Sequence, residues 1–161
     1  RVPRVEPLDV AGPAGRQVGG DVHLEEAAEL FDGRADLIAG FPTETEEMAL
    51  NSLKMLDDCD IVTAHVFPFS PRPNTPAARM PQLPREVAKA RAARLRAAAA
   101  ERRSLWLDGL IGATAQVLVE NGGKGHSDGF APVQIPGATR GQIGMARFRT
   151  REGDTLHAEW A

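Results

Sequence analysis

The sequence predicts an α/β unit followed by a small all-β barrel, and three observations carry that expectation. A strand, helix, strand pattern runs from Asp36 to Phe67, a long Ala-, Leu- and Arg-rich helix follows Pro84, and from Ile111 the chain changes to short β-like runs separated by turns. At 161 residues there is room for one ordinary domain or two small ones, at about 150 residues per domain. With 42% hydrophobic and 25% charged residues, the composition matches soluble domains that bury a real core.

The elements follow in order. Residues 1–34 are expected to be irregular or disordered, since seven of the first twenty are Gly or Pro. Within them Asp21 to Phe31 has the makings of a short helix, with Asp21 as N-cap and Gly33 as stop. Asp36 to Phe41 reads as a short buried strand. The helix after it has start chemistry, because Thr43 and Glu46 stand at capping-box spacing and Glu44, Glu46 and Glu47 suit the positive end of the helix dipole. Ala49, Leu50, Leu53 and Leu56 recur at helical spacing as its buried face. Ile61 to Phe67 is a second strand, rich in β-branched residues.

Two apolar strands joined by one helix make a right-handed βαβ unit with parallel strands, a piece of a partial (β/α) barrel. Alternation then assigns faces. Val62, Ala64 and Val66, with Leu37, Ala39 and Phe41, go under the helices. Thr63 and His65, with Asp36, Ile38 and Gly40, go to the opposite face.

Pro68 to Pro84 carries six prolines in seventeen residues, a rigid extended loop at the carboxyl end of a strand, where parallel α/β folds place their sites. Arg85 to Asp108 is strongly helical, and its Arg85, Lys89, Arg96 and Arg103 fall near one face. A solvated helix face is the ordinary reading of such a row. The β-like runs from Ile111 suggest a four- or five-stranded antiparallel barrel, with Arg147 and Arg149 on one side of a strand and Phe148 on the other. The expected divisions are 1–34, 35–110 and 111–161.

The net charge of −3 hides an asymmetry: residues 1–64 hold 5 Lys/Arg against 14 Asp/Glu, whereas residues 65–111 hold 9 against 3. A polyanion would meet the second segment. No apolar run approaches the roughly 18 residues of a membrane span, and the first residues lack a signal-peptide core, so a cytoplasmic protein is expected. The four histidines, His23, His65, His126 and His157, lack metal-ligand spacing, and no metal site is expected. Cys59 is the one cysteine; it is expected to pack rather than react, and a single thiolate does not hold an iron–sulfur cluster.

The run DLIAGFPTETEEM, then HVFPFSPRPNTPAARMPQLPREV, then a basic helix and a small barrel, resembles the C-terminal half of a radical S-adenosylmethionine (SAM) tRNA methylthiotransferase. The likeness covers about residues 35 to 161, and His65 to Pro68 ahead of the Ser-Pro-Arg-Pro run is most similar to the branch acting on threonylcarbamoyladenosine. The resemblance implies a partial radical SAM barrel followed by an OB-like TRAM barrel that binds RNA. It also implies SAM, two 4Fe-4S clusters held by cysteines further toward the N-terminus, a tRNA substrate modified beside the anticodon, no membrane, and a monomeric complete enzyme. Family members usually carry Gly where Thr43 and Asn74 stand here.

On that resemblance Ile38 and Gly40 are the expected contacts to the cofactor adenine. His65 is a further candidate, set against the commoner role of a hydrogen-bonded core histidine. The candidate RNA contacts are Arg72, Arg79, Arg96, Arg103, Arg147 and Arg149. No catalytic residue and no stably bound cofactor are expected in this chain alone. Its expected role is the C-terminal portion of such an enzyme, inactive without an N-terminal half; the alternatives are a stand-alone RNA-binding module and a non-functional remnant.

Overall fold

The computed structural model describes residues 33–161. The expected helix at Asp21 to Phe31, the irregular first segment up to residue 32 and His23 lie outside the described residues; Gly33 and Arg34, expected to belong to that segment, are instead the start of the first strand.

Strand β1 (Gly33–Ala39), helix α1 (Glu46–Asp58) and strand β2 (Ile61–Pro68) form the βαβ unit. The strands pair in parallel, with Asp36 opposite His65 and Ile38 opposite Phe67. Helix α2 (Arg85–Gly109) runs back across β2, and a short 3-10 turn, Ala77–Arg79, interrupts the proline-rich loop before it. Ala39, Leu56, Ile61, Val66, Ala92, Leu95 and Ala99 are the core under the two helices. Of the expected buried face of α1, Ala49 and Leu56 are buried, Leu53 is half-buried, and Leu50 is exposed.

The start of α1 differs from the capping box expected at Thr43. The helix begins two residues later, at Glu46, and Thr45 is its N-cap, its hydroxyl accepting from the Met48 amide at 3.2 Å. Thr43 instead stands at φ 70° in a turn closed by the Glu44 amide on the Phe41 carbonyl at 2.9 Å. Pro42 at the second position and a positive φ at the third are the marks of a type II turn, which favours glycine there. Pro73-Asn74 repeats the arrangement: Asn74 has φ 68°, and the Thr75 amide bonds to the Arg72 carbonyl at 3.3 Å. Asparagine tolerates this region better than most residues; a β-branched threonine is strained in it.

Strands β3 (Thr114–Asn121), β4 (Lys124–Ser127), β5 (Pro132–Gln134), β6 (Ile143–Glu152) and β7 (Thr155–Trp160) close a barrel in the order β3-β4-β5-β7-β6. It is not wholly antiparallel as expected, because β5 pairs with β7 in parallel. Strand β4 occupies a stretch that reads as a turn in the sequence. Its Gly125 lies so close to β3 that a Cβ would stand 1.9 Å from the Leu118 carbonyl oxygen. Alternation points Ala115, Val117, Val119, Ala146, Phe148, Leu156 and Ala158 inward, all buried. The last turn of α2 belongs to this core as well, through Leu107 and Leu110.

Arg151 fastens the two parts. Its guanidinium donates to both Asp108 carboxylate oxygens at 2.8 and 3.0 Å, to the Ser104 hydroxyl at 2.9 Å and to the Gly153 carbonyl at 2.7 Å. No described helix is long and apolar enough to cross a membrane.

Candidate functional site

The carboxyl ends of β1 and β2 open into two adjoining clefts separated by the segment Pro68 to Ser70. The first, about 420 Å³, lies between this segment and the start of α2, with Gly40, Phe69, Gln82, Arg85 and Lys89 among its walls. The second, about 450 Å³, is lined by Ile38, Phe67, Phe69, Ser70 and Arg72. Phe69 belongs to both walls and is fixed twice: its amide donates to the Ala39 carbonyl at 2.7 Å, and its ring meets that of Phe41 edge-on at 5.2 Å. Phe41 therefore lies half in solvent beside Phe69, rather than under the helices.

The three candidate cofactor contacts occupy different environments. Ile38 and Phe67 are opposite each other on the face of the sheet away from the helices, 59% and 54% exposed. His65 lies one step back on the same face, opposite Asp36 and exposed, so within the described residues it is not a core histidine. Gly40 breaks the alternation that sent it to this face. At φ 77° it turns toward α2, where a Cβ would stand 2.3 Å from that of Ala88. Its amide already donates to a Glu44 carboxylate oxygen at 2.9 Å.

That carboxylate is the hub of the strand end. Arg91, from the second turn of α2, donates to the Glu44 carboxylate at 2.7 Å and to its backbone carbonyl at 2.8 Å, with only 11% and 10% of the two side chains exposed. Arg91 and Arg94 then reach Glu46 at 3.4 and 2.6 Å. The Arg94 hydrogen bond, with both guanidinium charges, holds the Glu46 carboxyl below its ordinary range. Glu44, expected to serve the helix dipole, is thus the partner of Arg91, to which the sequence pattern gives no role. The available signal was an arginine between Ala88, Ala92 and Leu95, on the apolar side of an otherwise regular helix.

The candidate RNA contacts divide into engaged and free guanidinium groups. Arg96 donates to the Val66 carbonyl at 3.0 Å. Arg103 donates to the Thr63 hydroxyl at 2.7 Å, faces Asp154 at 3.5 Å and lies over Trp106. Arg149 is hydrogen-bonded to Glu159, and that bond holds the Glu159 carboxyl below its ordinary range. Arg147 is exposed on the same face, directly across from Glu159, while Phe148 is fully buried as alternation required. Arg72, Arg79 and Arg147 have no ion-pair partner among the described residues. The same is true of Arg85, Lys124 and Arg140.

Comparison with known proteins decides the ancestry. No protein-family model matches the chain. It is 43% identical over 101 residues to a threonylcarbamoyladenosine tRNA methylthiotransferase of Rickettsia prowazekii, covering 63% of this chain and 24% of that protein. It is also similar to tRNA-2-methylthio-N(6)-dimethylallyladenosine synthases. The one from Erythrobacter litoralis is 44% identical over 90 residues, 55% of this chain and 20% of that one. The one from Thermus thermophilus is 40% identical over 128 residues, 73% and 27%. This chain belongs to the tRNA methylthiotransferase family. It spans between 20% and 27% of the length of these curated relatives.

The methylthiotransferase cofactors fit these residues unequally. The second cleft, with Ile38 and Phe67 side by side and open, offers the apolar contact that a nucleoside base takes. A 4Fe-4S cluster does not fit. Cys59, the one cysteine of the sequence, is exposed at the C-cap of α1 rather than packed as expected. It precedes β2, at the opposite end of the strands from the clefts. Among the described residues no group of three or more His, Cys, Asp or Glu side chains gathers around a common point.

Proposed function

We propose that this chain serves as the C-terminal portion of a cytoplasmic tRNA methylthiotransferase acting on threonylcarbamoyladenosine beside the anticodon. It supplies the last βαβ step of a SAM-binding barrel and a TRAM-like RNA-binding barrel, and it has no methylthiotransferase activity alone. The observation that carries this reading is the bare face of the β1–β2 sheet. Ile38, His65 and Phe67 lie there uncovered, on strands whose outer edges have no described neighbour, next to clefts at the carboxyl ends. A two-stranded parallel sheet gains independent stability only with more strands or a cover on each face. The cluster-binding cysteines and the remaining strands then belong to a separate N-terminal portion. Similarity to the Rickettsia enzyme and the His-Val-Phe-Pro run at residues 65–68 favour the threonylcarbamoyl substrate.

In this assembly Ile38 and Phe67 pack against the SAM adenine, His65 faces the shared interior, and Glu44 with Arg91 fixes the strand end from behind. SAM and the clusters supply the sulfur and methyl chemistry; this chain's residues shape one wall of the chamber. Arg72 and Arg79, which have no ion-pair partner among the described residues, and Arg147, which has no hydrogen bond there and shares Glu159 with Arg149 only through its charge, are the favoured phosphate contacts of the original six. A second reading, a stand-alone RNA-binding module, draws on the closed barrel, which needs no further strand.

A chimera tests the proposal: this chain replaces the matching C-terminal segment of the Rickettsia enzyme, and tRNA nucleosides are read by mass spectrometry. Methylthiolated threonylcarbamoyladenosine from the chimera and none from the chain alone is the expected result. Methylthiolation of dimethylallyladenosine instead, or turnover by the isolated chain, would contradict it.

A further inference from the structure

The cleft between the proline-rich loop and α2 has a composition that the cofactor reading leaves unused. No carboxylate lines it. Two cations do, Arg85 and Lys89; Arg85 has no ion-pair partner among the described residues, and Lys89 meets only Glu86, one turn back on an exposed helix face, at 3.2 Å. Phe69 presents a ring whose position is already set by the Phe41 contact and the Ala39 carbonyl, so a planar ligand stacked on it orders little that is not ordered beforehand. Polar groups for the edge of that ligand are at hand. The Gln82 amide nitrogen donates to the Ala77 and Met80 carbonyls, each at 2.8 Å, which pins the side chain and leaves its carbonyl oxygen to accept; Ser70 adds a hydroxyl. At about 420 Å³ the space lies within the usual range for small-ligand sites, about 300–1,000 Å³.

Resting on the reading that the chain binds tRNA, we propose that this cleft is a single-nucleotide subsite for unpaired RNA, separate from the neighbouring cleft of Ile38 and Phe67. One flipped-out base stacks on Phe69, Gln82 and Ser70 read its edge, and Arg85 and Lys89 hold the flanking phosphates. Unstacked bases on aromatic side chains with arginines along the backbone are the general way proteins take single-stranded RNA. Across the shared Pro68 to Ser70 wall, Arg72 continues the line of positive charge. The start of α2, and not only the barrel, is then an RNA contact. The two surfaces lie at opposite ends of a 25-residue helix, about 37 Å apart at 1.5 Å per residue.

The test uses the whole chain with a fluorescently labelled, unmodified anticodon stem-loop RNA, titrated by anisotropy at several salt concentrations. Neutralising both cations, Arg85→Gln with Lys89→Gln, weakens binding about tenfold and flattens the slope of log K against log salt by about 1.4, at about 0.7 per contact with a single strand. Phe69→Leu weakens binding by about fivefold or more and leaves the slope unchanged, the signature of lost stacking. Both cations are exposed, so the first variant keeps its fold whatever Phe69→Leu does. Wild-type RNA binding with unchanged affinity and slope in the double variant overturns the subsite and leaves the RNA-binding reading standing. A wild-type chain that ignores the stem-loop overturns that reading and the subsite with it.

Discussion

The barrel and the βαβ unit are built from similar apolar strands, yet they differ in what surrounds those strands. In the barrel every strand has two neighbours, and Val117, Phe148 and Leu156 are fully buried in its interior. In the βαβ unit two strands share one ladder, with helices on one face and Ile38, His65 and Phe67 bare on the other. Closure removes edges altogether, whereas an open sheet keeps them as pairing sites. One ladder is closed on itself and the other carries an exposed apolar face, and α2 is continuous through both.

The largest expected contrast comes from one phenylalanine in each part. Phe148→Ala opens a cavity in the barrel and is expected to cost about 3–5 kcal/mol, read as a lower midpoint in chemical denaturation. Phe67→Ala on the bare face should change the midpoint by no more than about 0.5 kcal/mol, as for other exposed sites. Equal losses would mean that the face is covered in solution.

Next comes the support behind the clefts. Arg91→Ala leaves the Glu44 carboxylate nearly buried without its cation, at a cost of about 3 kcal/mol. Arg151→Ala, which removes one of the ties between the barrel and α2 beside the packing of Leu107 and the Arg103–Asp154 pair, is expected to cost less, about 1–2 kcal/mol. Its distinctive effect is on cooperativity. The single transition should split, the βαβ unit melting before the barrel, and calorimetry would show it.

The smallest effects are local. Thr43→Gly relieves a left-handed β-branched residue and should stabilise the βαβ unit by about 1 kcal/mol, leaving the barrel unchanged. Glu46 and Glu159 both have lowered carboxyl pKa values, by hydrogen bonds to Arg94 and Arg149 respectively. A lowered folded-state value means that each contributes stability above the unfolded carboxylate pKa, lost as pH falls through the folded value. Both are solvent-exposed, so the acid limb should be shallow. Glu46→Gln should flatten it for the βαβ unit and Glu159→Gln for the barrel, as measured by denaturation between neutral and acid pH.

Much of this was legible in the sequence where periodicity and burial agree. The period of two placed Phe148 inside and Arg147 and Arg149 outside, and Pro84 announced the start of α2. It failed at chain reversals. Gly40 leaves the alternation because positive φ turns it toward Ala88, and strand β4 is hidden because Lys124 to Ser127 has turn-forming residues and owes its conformation to its neighbours. Sequence patterns do not reveal pairing partners. Arg96, Arg103 and Arg149 read as free positive charge, while their engagement with Val66, Thr63 and Glu159 depends on tertiary contact. Glu44 and Arg91, forty-seven positions apart, carry no local mark of their pairing beyond the arginine's place on an apolar helix face.

Native-state hydrogen exchange tests the difference between the two parts most directly, because it reads both in one sample. The paired amides of the β3–β6 and β6–β7 ladders should exchange only through global opening of the barrel. Those of the β1–β2 ladder should exchange at least about a hundredfold faster, through local opening of an edge with little packed around it. Equal protection of the two ladders in the isolated chain would contradict the account, since it would make the βαβ unit as complete as the barrel.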